Sequence, residues 1–344
     1  HEEIMLFGIV ADYRNPRRLY KPFPDLYADI LAQIRISEDL GYDNVWLTEH
    51  HFTDDGYNPS ILTAAAAIAA RTSRIRIGSF VLLLPYQDPV RAAEDIASVD
   101  ILSNGRFDLG LGQGYSFHEF NALRIKRNTR ARRLYEGIDI LKKLFQEERV
   151  TYDGEFTQFT GLRLCPKPVQ KPCRPILIGA RGPKGIKRAA EHGHNLIATF
   201  GPDPAPLYCD TLTSLGRDPK DYKIGQLRMV YIAESEEQAW DECQEHLFHM
   251  IDFYKDIVAD AMDAEGDEKP FPVDKPEDLR DSPVKDGVMI GTVQQVCEKM
   301  EAFRNSFMCT DLVTAMQFPG MSVEKVNHSM AKFAKEVMPQ FREI

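Results

Sequence analysis

Short apolar runs alternate along the whole chain with longer stretches in which apolar positions recur every three or four residues. The short runs lie at 4–10, 44–47, 75–84, 107–111, 175–178, 195–200, 224–232 and 311–318. Most are unbroken Val, Ile and Leu, the pattern of parallel strands buried on both faces. The segments between them carry helix signals. Asp25 is placed to N-cap the first helix, with Leu26, Ile30 and Ile34 on one face and Gly41 closing it. Asp88-Pro89 supplies a cap and a first-turn proline, and Asn104-Gly105 ends that helix. Ser235-x-x-Gln238 and Thr292-x-x-Gln295 read as capping boxes. Eight strand–helix alternations predict an α/β fold, a single (β/α)8 barrel over 1–344, in preference to two doubly wound halves.

Two stretches exceed an ideal barrel. Residues 148–174 hold Tyr152-Asp153-Gly154 and several prolines, and predict a loop containing a hairpin. Residues 255–290 are charged, carry Pro270, Pro272, Pro276 and Pro283, and predict a long excursion suited to a lid.

Composition narrows the function classes. The chain has 344 residues, with 42 Lys and Arg against 52 Asp and Glu, for a net charge of −10. An acidic chain is a poor partner for nucleic acid or an anionic membrane surface. No apolar run approaches the roughly 20 residues that span a bilayer, and no secretory signal is visible. Six cysteines without CxxC spacing point to reduced thiols in a cytoplasmic protein and to no metal site. His246-x-x-His249 has metal-pair spacing but no third ligand, so it reads as helix surface.

Barrel chemistry sits at the C-terminal ends of strands. The second strand ends in Glu49-His50-His51. Neighbouring residues on a strand face opposite ways, so one imidazole faces the mouth as a proton shuttle, with Glu49 orienting a neighbouring group. The alternative is a structural hydrogen-bonded cluster. The fourth strand runs into Gly110-x-Gly112-Gln113-Gly114, which lacks the third glycine of a dinucleotide fingerprint but allows close approach of a flat ring. After the fifth strand, Gly179-Ala180-Arg181-Gly182 opens a helix, offering free N–H groups and a positive charge to a phosphate. The alternative there is a solvated turn.

Taken in order, Trp46–Phe52, Pro89-Val90-Arg91-Ala92-Ala93-Glu94 and Leu102-Ser103-Asn104-Gly105-Arg106-Phe107 resemble the bacterial luciferase-like flavin monooxygenase family. The resemblance runs nearly end to end. It implies a flavin-dependent monooxygenase, a homodimer that takes reduced FMN from a separate flavin reductase. Such an enzyme uses dioxygen to oxygenate a small organic substrate through a peroxyflavin. It implies His50 as the catalytic acid/base, and Phe80–Val81 as a cis peptide against the flavin ring. Gly112 would lie beside the ring, Gln113 would stand where luciferase has a phosphate-contacting arginine, and Gly179, Ala180, Arg181 and Gly182 would hold the phosphate. Gly112 and Gln113 replace luciferase's cysteine and arginine, which argues against light emission. Two rivals stay open: a deazaflavin-dependent oxidoreductase of the same superfamily, and a non-catalytic flavin-binding subunit.

Overall fold

The computed structural model describes residues 5–171, 175–199, 203–261 and 273–342. Its strands in chain order are β1 (Leu6–Ala11), β2 (Asn44–Leu47), β3 (Arg76–Ser79), β4 (Leu82–Leu83), β5 (Phe107–Asp108), β6 (Gly110–Gly112) and β7 (Val150–Asp153). They continue with β8 (Gln158–Leu162), β9 (Leu177–Gly179), β10 (Asn195–Ala198), β11 (Ile224–Ile232), β12 (Met289–Gly291) and β13 (Asp311–Ala315). All except β7 and β8 join one parallel sheet.

That sheet closes on itself. β3 and β4 are one stave interrupted at residues 80–81, and β5 and β6 are another interrupted at Leu109. β3 pairs β5 while β4 pairs β6, and the ring continues through β9, β10, β11, β13, β1 and β2 back to β3. Eight staves in sequence order make the expected barrel, with helices in the crossovers. Parallel strands need such crossovers, and helices on their outer faces explain the unbroken apolar runs.

Large and small side chains interdigitate between staves. Trp46 on β2 is buried, and a Cβ on Gly8 or on Gly78, on the flanking strands, would meet its ring at 2.7 and 2.3 Å. The indole Nε1 donates to Asn44 Oδ1 at 2.8 Å, which satisfies its one polar atom.

Several local expectations hold. Gly41 caps the helix Phe23–Leu40 with φ +88°, and Asp88 accepts from the N–H groups of Val90 and Arg91. Thr292 and Gln295 form a complete capping box. Residues 148–174 contain the antiparallel hairpin β7–β8.

Others are corrected. The first helix starts after Pro22, two residues before Asp25, because Pro24 in the first turn already favours helical φ and Asp25 sits inside that turn. The stretch 255–290 is not all loop. The helix Glu236–Ala261 continues through its start, and β12 at its end pairs with the far half of the nine-residue β11. The middle of that excursion, 262–272, lies outside the described residues. No helix among the described residues is long and apolar enough to cross a membrane.

Candidate active site at the C-terminal mouth

Five strand ends deliver the polar residues to one rim. β2 is followed by Glu49-His50-His51, β4 by Tyr86, β6 by Tyr115 and Glu119, β9 by Arg181, and β1 by Asp12 and Arg14.

His50 is the hub. Its side chain is 7% exposed, and its Nδ1 lies 2.9 Å from Glu119 Oε1. Glu119 also accepts from the His51 N–H at 3.0 Å and from Tyr86 Oη at 3.0 Å. Burial alone would raise the Glu119 carboxyl, but the hydrogen bonds from His50, His51 and Tyr86 outweigh it and hold it below the usual carboxylate range. An ionised Glu119 only accepts, so His50 donates through Nδ1 and turns Nε2 toward the hydroxyl of Tyr115, 3.2 Å away. Burial pushes Tyr115 well above its ordinary value, so it stays a donor. The imidazole is walled by the rings of Tyr57 at 4.8 Å, Phe253 at 5.5 Å and Tyr254 at 5.9 Å.

Glu49 serves the other histidine. Its Oε1 accepts from His51 Nε2 at 2.7 Å and its Oε2 from the Leu83 N–H at 3.3 Å. Burial raises the Glu49 carboxyl, and the same hydrogen bond carries His51 above its ordinary value despite burial.

The Phe80–Val81 peptide bond is cis. Val81 projects at two of the glycines picked out in the sequence: a Cβ on Gly112 would meet its side chain at 2.3 Å, and one on Gly179 at 2.9 Å. Val81, Gly112 and Gly179 therefore converge across three staves, while the Phe80 ring packs edge-on against Trp46 at 6.4 Å. Gln113 is half-buried just beyond β6. Ala180, Arg181 and Gly182 follow β9 and lead into the helix Pro183–Glu191. That N-terminus has no side-chain cap, Gly182 has open space around it, and the Arg181 charge acts on the Tyr115 hydroxyl. An uncapped helix start beside an arginine fits a phosphate-bearing flavin. Its neighbour Tyr115 links this corner to His50.

Glu119, Tyr115, Tyr86, Asp12, Arg14 and Tyr57 are among the site residues that sequence reasoning missed. Ser116-x-x-Glu119 is a helix-start pattern directly after a glycine-rich strand end, which places a carboxylate at the mouth; Ser116 Oγ does accept from the Glu119 N–H. Arg14 follows β1 by the same rule. Nothing in the local pattern announces Tyr254, whose hydroxyl meets that of Tyr57 at 2.6 Å across 197 residues. His246 and His249 are not free helix surface. His246 Nδ1 bonds the Pro319 carbonyl at 2.9 Å, and His249 Nε2 bonds Asp55 at 3.2 Å. Among the described residues no group of three or more His, Cys, Asp or Glu is placed to hold a metal.

A luciferase-like monooxygenase family model matches residues 5–309. The chain belongs to this family. Within it, the luciferase-like chain is 29% identical over 336 residues to the oxygenase component of a flavin-dependent trigonelline monooxygenase from Acinetobacter baylyi, covering 92% of this chain and 91% of that one. It is also 35% identical over 198 residues to an F420-dependent glucose-6-phosphate dehydrogenase from Kineococcus radiotolerans, covering 55% of this chain and 56% of that one. The fold is shared with the FMN-bound oxygenating constituent of 3,6-diketocamphane monooxygenase from Pseudomonas putida. That match has a TM-score of 0.82 at 18% identity, over 98% of this chain and 99% of that one. Homologues in this family are oxidoreductases that use a flavin or a deazaflavin.

Asp12 gives the luciferase-like site a measurable pH signature. Burial pushes its carboxyl up from 3.8 to about 6, against the attraction of Arg14. A raised carboxyl means the folded state binds more protons than the unfolded one between pH 4 and 6, so stability falls as pH rises through that window. Asp12→Asn removes this dependence. Relative to wild type, its unfolding free energy is expected to gain about 2 kcal/mol between pH 4 and pH 7, read from denaturant titrations at both pH values. A constant difference would place the Asp12 carboxyl in its ordinary range.

Proposed function

We propose that this luciferase-like chain is the oxygenase component of a two-component monooxygenase, taking reduced FMN from a separate reductase and working as a homodimer. The observation that carries the reading is His50, held at Nδ1 by Glu119 with Nε2 directed at Tyr115, beside the open helix start at Gly182. Bound reduced FMN supplies the electrons with which dioxygen is activated for transfer of one oxygen to a small organic substrate. Val81, Gly112 and Gly179 leave a flat wall for the ring, with Phe80 and Gln113 at its edge. Arg181 and the N–H groups around Ala180 and Gly182 hold the phosphate.

The protein's own work is then proton handling and shielding. His50 takes a proton at Nε2 and returns it, and Tyr115 passes it along. Glu119 fixes the ring's orientation through Nδ1, and the Glu49–His51 pair braces the same turn. Tyr57, Phe253 and Tyr254 keep water from the imidazole. The deazaflavin reading rests on the F420-dependent relative, and a cofactor titration separates the two.

The phosphate assignment is tested by comparing FMN with riboflavin. Arg181→Ala is expected to weaken FMN binding about 10-fold or more, the worth of one charge-assisted hydrogen bond. Binding of riboflavin, which has no phosphate, is expected to stay unchanged. Equal losses for both ligands would remove Arg181 from the phosphate site.

A further inference from the structure

The loop after β1 carries a guanidinium with unused donors. The Arg14 side chain is 0% exposed, and its Nε donates to Asp55 Oδ2 at 2.7 Å. The same Asp55 Oδ2 also bonds His249 Nε2 at 3.2 Å. Burial would raise the Asp55 carboxyl, but the bonds from His249 and Arg14 keep it far below the usual range. Arg14 is therefore anchored through one nitrogen only. Its Nη1 and Nη2 have no hydrogen-bond partner among the described residues. Buried donors are almost always paired, so two idle ones on a single side chain point to a partner that arrives with a ligand.

The position of the guanidinium says what that ligand is. It lies 4.3 Å from the centre of the Phe253 ring and 5.1 Å from that of Tyr57. Those two rings stack at 5.5 Å, and both present edge contacts to His50. The idle fork and the imidazole thus flank one pair of aromatic walls. A fork of two N–H groups matches the two oxygens of a carboxylate, and aromatic walls match a flat ring.

We propose that the substrate is a flat aromatic or heteroaromatic carboxylic acid, its carboxylate received by Nη1 and Nη2 of Arg14 and its ring lying against Tyr57 and Phe253 beside His50. This rests on the reading of the mouth as an oxygenase pocket. The groups facing Arg14 are Asp12 and Asp55, with the hydroxyls of Tyr57 and Tyr254, and His249 bonds Asp55. Both carboxylates oppose an incoming anion; Asp55 is kept ionised by Arg14 and His249, so Asp12 is the one able to relieve that repulsion. Its carboxyl, pushed by burial up to about 6, accommodates the acid by taking up a proton.

The test is calorimetric titration of the FMN-loaded protein near pH 7 with benzoate, benzamide and methyl benzoate, in two buffers of different ionisation enthalpy. Benzoate is expected to bind at least tenfold more tightly than either neutral analogue, with net proton uptake. Arg14→Gln is expected to erase that preference and Arg14→Lys to keep part of it, because lysine retains the charge without the fork. Equal affinity for the three probes, no binding of benzoate, or a preference that survives Arg14→Gln would overturn the proposal. The wild-type comparison decides the matter even where Arg14→Gln fails to fold. FMN saturation, measured first on the same samples, keeps the two readings apart. Failure to bind FMN would count against the oxygenase reading, whereas loss of acid preference with FMN bound counts against the acid substrate alone.

Discussion

His50→Asn is expected to lower kcat for substrate oxygenation by about 10²–10⁴-fold, the range spanned by general acid–base groups. Asparagine still offers an N–H to Glu119 Oε1, the atom that now accepts from His50 Nδ1 at 2.9 Å. It therefore preserves the local hydrogen-bond count. What it removes is the titrating nitrogen facing Tyr115 Oη at 3.2 Å. FMN affinity is expected to stay within about twofold, because neither the helix start at Gly182 nor the Val81 wall depends on the imidazole. Reduced FMN would still be consumed by dioxygen, with little substrate oxygenated. The measurement is product formed per reduced FMN oxidised, alongside kcat. Unchanged turnover and coupling would show that His50 moves no proton in the rate-limiting sequence and would make its bonds structural.

Gly110→Ala is expected to cost about 3 kcal/mol or more, the upper end for overpacking. A Cβ at Gly110 would lie 2.0 Å from the Ser79 carbonyl oxygen, and that atom is backbone, which cannot swing aside. The Ser79 hydroxyl also clamps the same residue twice, accepting from its N–H at 2.9 Å and donating to its carbonyl at 2.7 Å. An added methyl must therefore push β6 away from the β3–β4 break and misplace Val81. Gly182→Ala is the control: it meets open space at φ −83°, and surface changes of that kind stay within about 0.5 kcal/mol. Denaturant titration of both variants, with FMN binding of Gly110→Ala as a second readout, checks the pair. A stable Gly110→Ala protein with normal FMN affinity would show that the staves are looser at the mouth than these contacts require.

The barrel was legible because burial on both faces leaves runs of Val, Ile and Leu that no other element needs. The stave breaks were not legible. Phe80-Val81 and Leu109 are as apolar as the strands around them, and only pairing partners far along the chain show that the backbone leaves the ladder there. The stretch after residue 255 misled for a related reason: its charges and the prolines further along read as loop, and the helix runs to Ala261. At the candidate site, strand-end position picked out His50 and the glycine turn, whereas Val81 entered only through the family resemblance. Glu119 carried a local signal in its capping pattern, but its bond to His50 spans 69 residues. The Arg14–Asp55 bond spans 41 residues and nothing in either segment announces the other. Contacts set by closure of a barrel have no local trace.

The central claim is that the mouth binds reduced FMN for reaction with dioxygen. An anaerobic competition titration of the full chain with reduced FMN and reduced deazaflavin tests it most directly. The account predicts saturation by one equivalent of reduced FMN per chain, with no displacement by excess deazaflavin. Failure of reduced FMN to bind, or its displacement by the deazaflavin, would contradict it.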